Sequence, residues 1–195
     1  MNSVDIKKMQ QAVGAGADGF IGKDTLAAMF RKLGASAERA VELGLSANVH
    51  LRTAEILHSK LRLAHFLAQI AHESGNFRYM EEIASGALYE GRRDLGNTVR
   101  GDGVRYKGRG VLQLTGRANY KRYGEKLGID LEQNPTLAAN PSISMLVATT
   151  YWTNSELNQY ADKDDIIVIT RRINGGQNGI WDRKNKLALI KSWFN

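Results

Sequence analysis

The residues best suited to chemistry in this chain are two glutamates, Glu73 within His72-Glu73-Ser74-Gly75 and Glu82 beyond it. An apolar stretch at helical spacing precedes Glu73, so the pattern predicts this carboxyl at the C-terminal end of a buried helix. Burial and the negative end of the helix dipole both favour a protonated carboxyl, as a general acid requires. Glu82 lies beside a glycine-rich, basic segment, where it can stay ionised and activate water. Two carboxyls in such different surroundings suit hydrolysis of a glycosidic bond. The alternative is that Glu73 only caps its helix or pairs with an arginine.

Two further glutamates compete with Glu82 for the role of base. Glu81 is adjacent in sequence, and we expect its side chain to point away from that of Glu82. Glu90 is followed by Arg92 and Arg93, and we expect it to pair with one of them. Glu82 therefore remains the first candidate.

A metal site is suggested by three histidines but does not fit their spacing. His58, His65 and His72 recur every seven residues. Seven residues rise roughly 10.5 Å along a helix, too far for shared ligation of one ion. The chain also has no cysteine, which excludes a thiolate site and a disulfide framework. We therefore predict neither a metal nor a cofactor.

The positive charge of the chain is concentrated in one segment. The 195 residues carry 27 Lys and Arg against 20 Asp and Glu, a formal net charge of +7. Residues 92–126 hold ten basic and three acidic residues, so this segment accounts for the whole excess. A local excess of this kind predicts an anionic partner such as nucleic acid, a membrane surface or a cell-wall polymer.

The stretch 106–120 combines basic residues with glycines, tyrosines, amides and hydroxyls. It lacks the lysine of a phosphate-binding loop and no strand precedes it. Basic residues interleaved with tyrosines could bind nucleic acid. Gln113, Thr115 and Asn119 among glycines equally suit a cleft for a sugar, whose hydroxyl and acetamido groups they can bond.

Helical spacing of apolar residues accounts for most of the chain. Two short helices are predicted within 4–34, and further helices over 38–45, 53–72, 118–126, 142–153, 164–173 and 182–193, with a break at 46–48. Residues 84–128 hold ten of the 20 glycines and predict loops, with at most a small hairpin at 108–114. No apolar run reaches the roughly 20 residues that span a bilayer, and the first residues lack the pattern of a secretory signal.

Several ordered motifs resemble the family 19 glycoside hydrolases, the plant-type chitinases. They are Phe66–Gly75, Tyr106–Thr115, Asn119-Tyr120 and Ile173–Gly176. Tyr89–Asn97 and Gly101-Asp102-Gly103 are similar to the bacteriophage endolysin branch in particular. The resemblance extends over roughly residues 45–195 and implies an all-α, lysozyme-like helical domain with long glycine-rich loops.

The resemblance also implies roles for individual residues. Glu73 corresponds to the general acid, Glu82 to the general base of an inverting mechanism, and Thr115 to a serine that helps hold the attacking water. Such a mechanism predicts a carboxyl separation of roughly 6.5–9.5 Å. The predicted substrate-binding residues are His72, Tyr106, Gln113, Asn119, Asn174 and Arg183. The segment from Glu82 to Tyr106 is unlike the plant loops, so the base is less closely matched than the acid.

The N-terminal residues have a different resemblance. Residues 1–36 are similar to part of a peptidoglycan-binding module, and 37–195 form the catalytic domain under this division. The alternative is a helical pair that packs on the catalytic body without a binding role of its own.

The resemblance predicts an endolysin that hydrolyses the β-1,4 glycan of bacterial peptidoglycan. The alternatives are a chitinase, a lytic transglycosylase, and a non-enzymatic protein that binds cell wall or nucleic acid. We expect a monomer whose partner is the peptidoglycan strand, without nucleic acid and without stable membrane insertion. Its expected location is the host bacterial cytoplasm, with action on the wall after release.

Overall fold

The computed structural model describes residues 1–195 as a helical protein without a β-sheet, which confirms the predicted all-α class. The α-helices are α1 (Ser3–Val13), α2 (Lys23–Lys32), α3 (Ala37–Thr53), α4 (Lys60–Glu73), α5 (Asp102–Arg105), α6 (Arg117–Leu127), α7 (Pro141–Asn154), α8 (Leu157–Ala161), α9 (Ile166–Asn174) and α10 (Ile180–Ser192). Four short 3₁₀ turns are Ile56–His58, Ala87–Tyr89, Arg93–Leu95 and Pro135–Ala139. No helix is both long and apolar enough to cross a membrane.

Helix α4 lies at the centre of the main hydrophobic core and ends at the candidate acid. Residues 63–71 are all buried, because apolar side chains occupy more than one face of the helix. Phe66 packs edge-on against Trp152 of α7, with ring centroids 5.3 Å apart. Helix α10 packs along α4, so the residues at the end of α4 face those at the start of α10.

The boundaries of α3 and α4 differ from the sequence prediction. The predicted break at 46–48 is wrong, because α3 continues to Thr53. Ser46 is accommodated inside the helix since its hydroxyl donates to the carbonyl of Ser142 at 3.3 Å. The predicted single helix over 53–72 is instead interrupted, with Glu55 in a left-handed conformation (φ 56°). Ser59 then caps the N-terminus of α4 by accepting the amide hydrogen of Arg62 at 3.1 Å.

The two N-terminal helices share the core of the rest of the chain. Met9 of α1 and Leu26 and Phe30 of α2 are fully buried in the same cluster as α4. Between these helices, the Gln10 side chain donates to Asp18 at 2.7 Å and to Thr25 at 3.0 Å. The packing is therefore continuous across residue 36, and a wall-binding role for 1–36 stays a prediction.

The glycine-rich segment after α4 is ordered by contacts other than strands. The hairpin predicted at 108–114 is reduced to two isolated bridges, Glu81 with Arg109 and Arg109 with Leu114. A second small core beneath this segment includes Tyr106 and Tyr120. The segment thus brings residues 81–82 alongside 108–109.

Candidate active site

Glu73 is the last residue of α4 and contacts Arg183 of α10. The Arg183 guanidinium is 1% exposed, donates one N–H to Oε1 of Glu73 and another to Oε1 of Gln69. Its Nε donates to the carbonyl of Asn178 at 3.3 Å. Glu73 therefore pairs with an arginine, and its role as general acid stays a prediction.

Only one of the two carboxyl oxygens of Glu73 takes part in the pairing with Arg183. The Glu73 side chain keeps 18% of its surface exposed, and its Oε2 makes no hydrogen bond within the protein. The guanidinium attracts an ionised carboxylate, against the effects of burial and the helix dipole. Because Arg183 is a donor, a proton on Glu73 belongs on Oε2, the oxygen left free for a ligand.

Glu82 has different surroundings. Oε1 accepts the hydroxyl hydrogen of Tyr89 at 3.0 Å, and Oε2 accepts the amide hydrogen of Gly108 at 3.1 Å. The backbone amide of Glu82 in turn donates to the carbonyl of Gly108 at 2.8 Å. Burial and the hydrogen bond to Glu82 raise the pKa of Tyr89 above its ordinary value, so this phenol remains a donor. Each carboxyl oxygen of Glu82 therefore has a donor, which fixes the orientation of the group.

Thr115 lies on the same side of Gly108 as Glu82. A Cβ atom placed on Gly108 would be 3.3 Å from both Oε2 of Glu82 and Oγ1 of Thr115, and 2.7 Å from Oε1 of Gln113. The Thr115 hydroxyl donates to the carbonyl of Gln113 at 2.8 Å. The hydroxyl hydrogen of Thr115 is therefore already in a hydrogen bond, and the hydroxyl oxygen can accept a hydrogen bond from water or a ligand.

A pocket of about 170 Å³ lies beside these groups. Its walls combine apolar side chains with amides, one hydroxyl-bearing threonine and one cation: Leu95, Leu112, Gln113, Leu114, Thr115, Asn119, Arg122, Tyr123, Val147, Tyr151 and Ile173. The structure thus brings together three of the residues predicted from the sequence, Gln113, Thr115 and Asn119.

Asn119 and Asn174 both use their amides within their own segments. The Asn119 side chain donates to the carbonyl of Thr115 at 2.7 Å. Asn174 donates to the carbonyl of Asn178 at 2.9 Å and accepts the amide hydrogen of Gly176 at 2.9 Å, which closes the loop before α10. A sugar contact by Asn174 stays a prediction.

His72 lies against the start of α10. Its Nδ1 lies 2.6 Å from Oδ2 of Asp182. Gly179 has a φ of 70°, and a Cβ atom on it would overlap the His72 ring. His72 therefore fixes α10 next to the end of α4, which places Arg183 on Glu73. His65 has a separate partner, with its Nε2 2.8 Å from Oδ1 of Asp164.

Two predicted substrate-binding residues are placed differently. Tyr106 is 2% exposed in the second core, and its hydroxyl donates to the carbonyl of Glu132 at 3.0 Å. Its ring packs inward against Tyr120, so this packing does not support a substrate contact by Tyr106, which stays a prediction. Arg183 is likewise buried, and its donors go to Glu73, Gln69 and Asn178 rather than into the cleft.

The rival carboxylates have structural partners. Glu81 contacts Nζ of Lys107 at 2.8 Å and Nε of Arg109 at 3.4 Å. The hydrogen bond from Lys107 is the largest effect that lowers the pKa of Glu81 below its ordinary value.

The predicted pairing of Glu90 with Arg92 or Arg93 is wrong. Glu90 accepts the amide hydrogens of Gly101 at 2.6 Å and Gly103 at 2.8 Å, so it closes the loop after Tyr89. Arg92 pairs instead with Asp94.

Sequence reasoning did not identify Tyr89 or Gly108 as site residues. Gly108 stands in a Gly-Arg-Gly motif close to the other candidates, which is a usable signal. No sequence signal marks Tyr89 as a site residue, because its contact with Glu82 depends on the path of the intervening loop.

The chain matches the family described as chitinase class I over residues 47–178. A Haemophilus influenzae protein called a glycosyl hydrolase family 19 domain-containing protein is 34% identical over 156 residues, which cover 64% of this chain and 76% of that protein. An endochitinase of Arabidopsis thaliana is 36% identical over 120 residues, or 61% of this chain. The chain covers only 41% of the length of that plant enzyme.

Solved structures show the same fold. A variant of chitinase C superposes with a TM-score of 0.70 at 22% identity, covering 92% of this chain and 95% of that one. A class IV chitinase from Zea mays gives 0.67 at 21% identity, covering 86% and 91%. These likenesses confirm the predicted fold, and the family match extends over both candidate glutamates. The chain belongs to the family 19 glycoside hydrolases.

Proposed function

We propose that this glycoside hydrolase is an endolysin that cleaves the β-1,4 glycan of bacterial peptidoglycan, with Glu73 as general acid and Glu82 as general base. It acts as a monomer on the wall, after release from the host bacterial cytoplasm in which it is made. The observation that carries the catalytic roles is the difference between the two carboxyls. Glu73 has one oxygen held by Arg183 and the other free, whereas both oxygens of Glu82 accept hydrogen bonds.

The acid step uses the free oxygen of Glu73. A proton on Oε2 passes to the glycosidic oxygen as the bond to the sugar breaks, and the Glu73 carboxylate that results is stabilised by Arg183. An adjacent guanidinium favours this charged product of the transfer.

The base step uses Glu82 and Thr115 together. A water between them donates one hydrogen to Glu82 and the other to the Thr115 oxygen, whose own hydrogen is bound to Gln113. The water oxygen then attacks the anomeric carbon from the face opposite the leaving group, as Glu82 takes the proton. This inverting mechanism requires a carboxyl separation of roughly 6.5–9.5 Å in the complex with substrate.

The choice of peptidoglycan is supported by the segment between Glu82 and Tyr106. Its motifs resemble the phage branch of the family, and they build the loop around the base. Glu90 closes that loop on Gly101 and Gly103. The net charge of +7 also favours an anionic polymer over neutral chitin.

The test is digestion of purified peptidoglycan and of chitin oligomers with the full chain, followed by mass spectrometry of the fragments. We expect muropeptides with new reducing ends. Glu73→Gln should reduce release by about 10²–10⁴-fold, since a proton donor is lost. Glu38→Gln changes an exposed glutamate on α3 and serves as the control with unchanged release.

Each competing outcome identifies another activity. Anhydromuramyl ends, with Glu82 dispensable, would indicate a lytic transglycosylase. Cleavage of chitin oligomers without peptidoglycan fragments would indicate a chitinase, which is the second candidate because several relatives are named endochitinases. Salt-sensitive binding to wall or DNA without any new ends would contradict both enzymatic proposals.

A further inference from the structure

Arg122 is the only charged side chain on the walls of the pocket of about 170 Å³ that contains Thr115. Several other basic residues of the segment 92–126 are neutralised by carboxylates. Lys107 contacts Glu81 at 2.8 Å, and Arg117 contacts Glu132 at 2.9 Å. Arg122 forms no ion pair, although its segment accounts for the whole excess charge of the chain. The segment therefore leaves an unneutralised cation at the cleft.

The guanidinium of Arg122 is held in place by neutral partners. One N–H of Nη2 donates to Oδ1 of Asn119 at 2.9 Å, and the guanidinium carbon lies 5.3 Å from the centre of the Tyr123 ring. These contacts restrict the side chain without neutralising its charge. The remaining N–H groups have no acceptor in the protein and are available to a ligand.

The pocket containing Arg122 also contains Thr115, the residue proposed to hold the attacking water together with Glu82. Thr115 and Tyr151 are both on its walls. Burial is the main cause that raises the pKa of Tyr151. The charge of Arg122 lowers this pKa and the charge of Glu73 raises it, so both groups act on the same phenol. A sugar that contacts Thr115 therefore has its substituents in the pocket that Arg122 also lines.

We infer that Arg122 determines specificity by binding a carboxylate carried by the sugar in this pocket, beside apolar walls that accept the adjoining carbon atoms. This inference rests on the proposed function and deepens it. In peptidoglycan, alternate sugars carry a lactyl ether that chitin lacks, and the carboxylate belongs either to that lactyl group or to the peptide attached to it. A charge-assisted, bidentate contact from an arginine suits both sources.

The experiment measures binding to the full chain carrying Glu73→Gln, so that ligands are not cleaved. The ligands are chitotetraose, a peptide-free tetrasaccharide of alternating N-acetylglucosamine and N-acetylmuramic acid, and the same tetrasaccharide with its peptides. Calorimetry at low salt gives the three dissociation constants. One hydrogen bond to a charged group predicts binding of a carboxylate-bearing ligand about tenfold tighter than that of chitotetraose. Whichever tetrasaccharide, without or with its peptides, is preferred more strongly over chitotetraose identifies the source of the carboxylate.

Second variants separate a local contact from a general effect of charge. Adding Arg122→Gln should reduce the preference to near one, whereas adding Arg122→Lys should retain part of it. Arg100→Gln removes an exposed cation of the same segment and should leave the preference unchanged.

Three results would overturn the inference. The first is that the parent protein binds all three ligands equally. The second is that Arg122→Gln weakens the binding of chitotetraose as much as that of the carboxylate-bearing ligands. The third is that Arg100→Gln reduces the preference as much as Arg122→Gln does. Digestion of peptidoglycan by the unsubstituted chain decides the proposed function separately. Absence of fragments there overturns that function, while the binding ratio alone decides the role of Arg122.

Discussion

The hydroxyl of Tyr89 donates to Oε1 of Glu82 at 3.0 Å, so a residue seven positions further along the chain orients the proposed base. Tyr89 is itself held by Asn97, which is fully buried and donates to the Tyr89 carbonyl at 2.8 Å. The same Asn97 side chain accepts the amide hydrogen of Arg117 at 2.9 Å. Because Arg117 follows Thr115 by two residues, one buried amide links the loop that orients the base to the segment that carries Thr115.

Tyr89→Phe should lower kcat about tenfold or more with little change in KM. The substitution keeps the ring and removes a hydrogen bond to a charged group, which is typically worth about 1.5–3 kcal/mol. Glu82 then keeps only the Gly108 amide and is less well oriented toward water. Steady-state kinetics on a soluble glycan, together with the thermal unfolding midpoint, provide the measurement.

Tyr160→Phe is the matched control, because it removes a phenol that accepts a hydrogen bond from Arg172 at 2.8 Å in α8 and α9. If Tyr89→Phe unfolded so readily that the loss of folded protein accounted for the lower kcat, Tyr89 would only support the fold. The same conclusion would follow if Tyr89→Phe and Tyr160→Phe had the same kinetics.

Much of the helical framework could be predicted from the sequence because it is local. The spacing of apolar residues placed α6, α7, α9 and α10 to within a few positions. The continuation of α3 past Ser46 could not be predicted in this way, since it depends on a hydrogen bond to Ser142 across the core. The turn at Glu55 likewise has no Gly or Pro to mark its left-handed conformation.

The candidate site shows the same division between local and distant information. Residue type and spacing predicted Glu73 and Glu82 as the catalytic carboxyls. The partner of Glu73 lies 110 positions away, and only the packing of α10 on α4 brings it there. The burial of Tyr106 could not be predicted, because a loop has no period from which the direction of a side chain follows.

Gly179→Ala should destabilise the fold and reduce activity together. Gly179 has a φ of 70°, which costs an L-residue about 1–2 kcal/mol, and the added methyl group would overlap the His72 ring. Relief of that overlap moves the start of α10, which carries Arg183, away from Glu73. We expect a lower unfolding midpoint, measured by circular dichroism, and a lower rate of glycan cleavage.

Gly176→Ala is the control for this substitution, because no atom lies within 4 Å of its added Cβ and its φ is not in the left-handed range. Its effect should stay within about 0.5 kcal/mol. Equal effects of the two substitutions would show that the contact between Gly179 and His72 does not position α10.

The stability of the fold should decrease as the pH falls through the ordinary pKa of histidine, and His65 should contribute to this decrease. His65 is fully buried, and burial, opposed by the hydrogen bond and charge of Asp164, lowers its pKa below the ordinary 6.5. Lys191, whose Nζ lies 2.6 Å from the other oxygen of Asp164, and Asp165 also face this histidine. Below pH 6.5 the unfolded chain binds a proton that folded His65 does not, so its contribution is fully present above pH 6.5 and lost below it. The loss is at most about 1.4 kcal/mol per pH unit for one group.

Urea unfolding between pH 5 and 8 measures this dependence, and His65→Asn should make it shallower. The pKa of His50 is also lowered by burial, so His50→Asn gives the contribution of a second histidine away from Asp164. The two effects should add, because the two histidines have separate surroundings. An unchanged slope in His65→Asn, with the full decrease retained, would mean that His65 stays uncharged in both states or charged in both, and would contradict the role assigned to its burial.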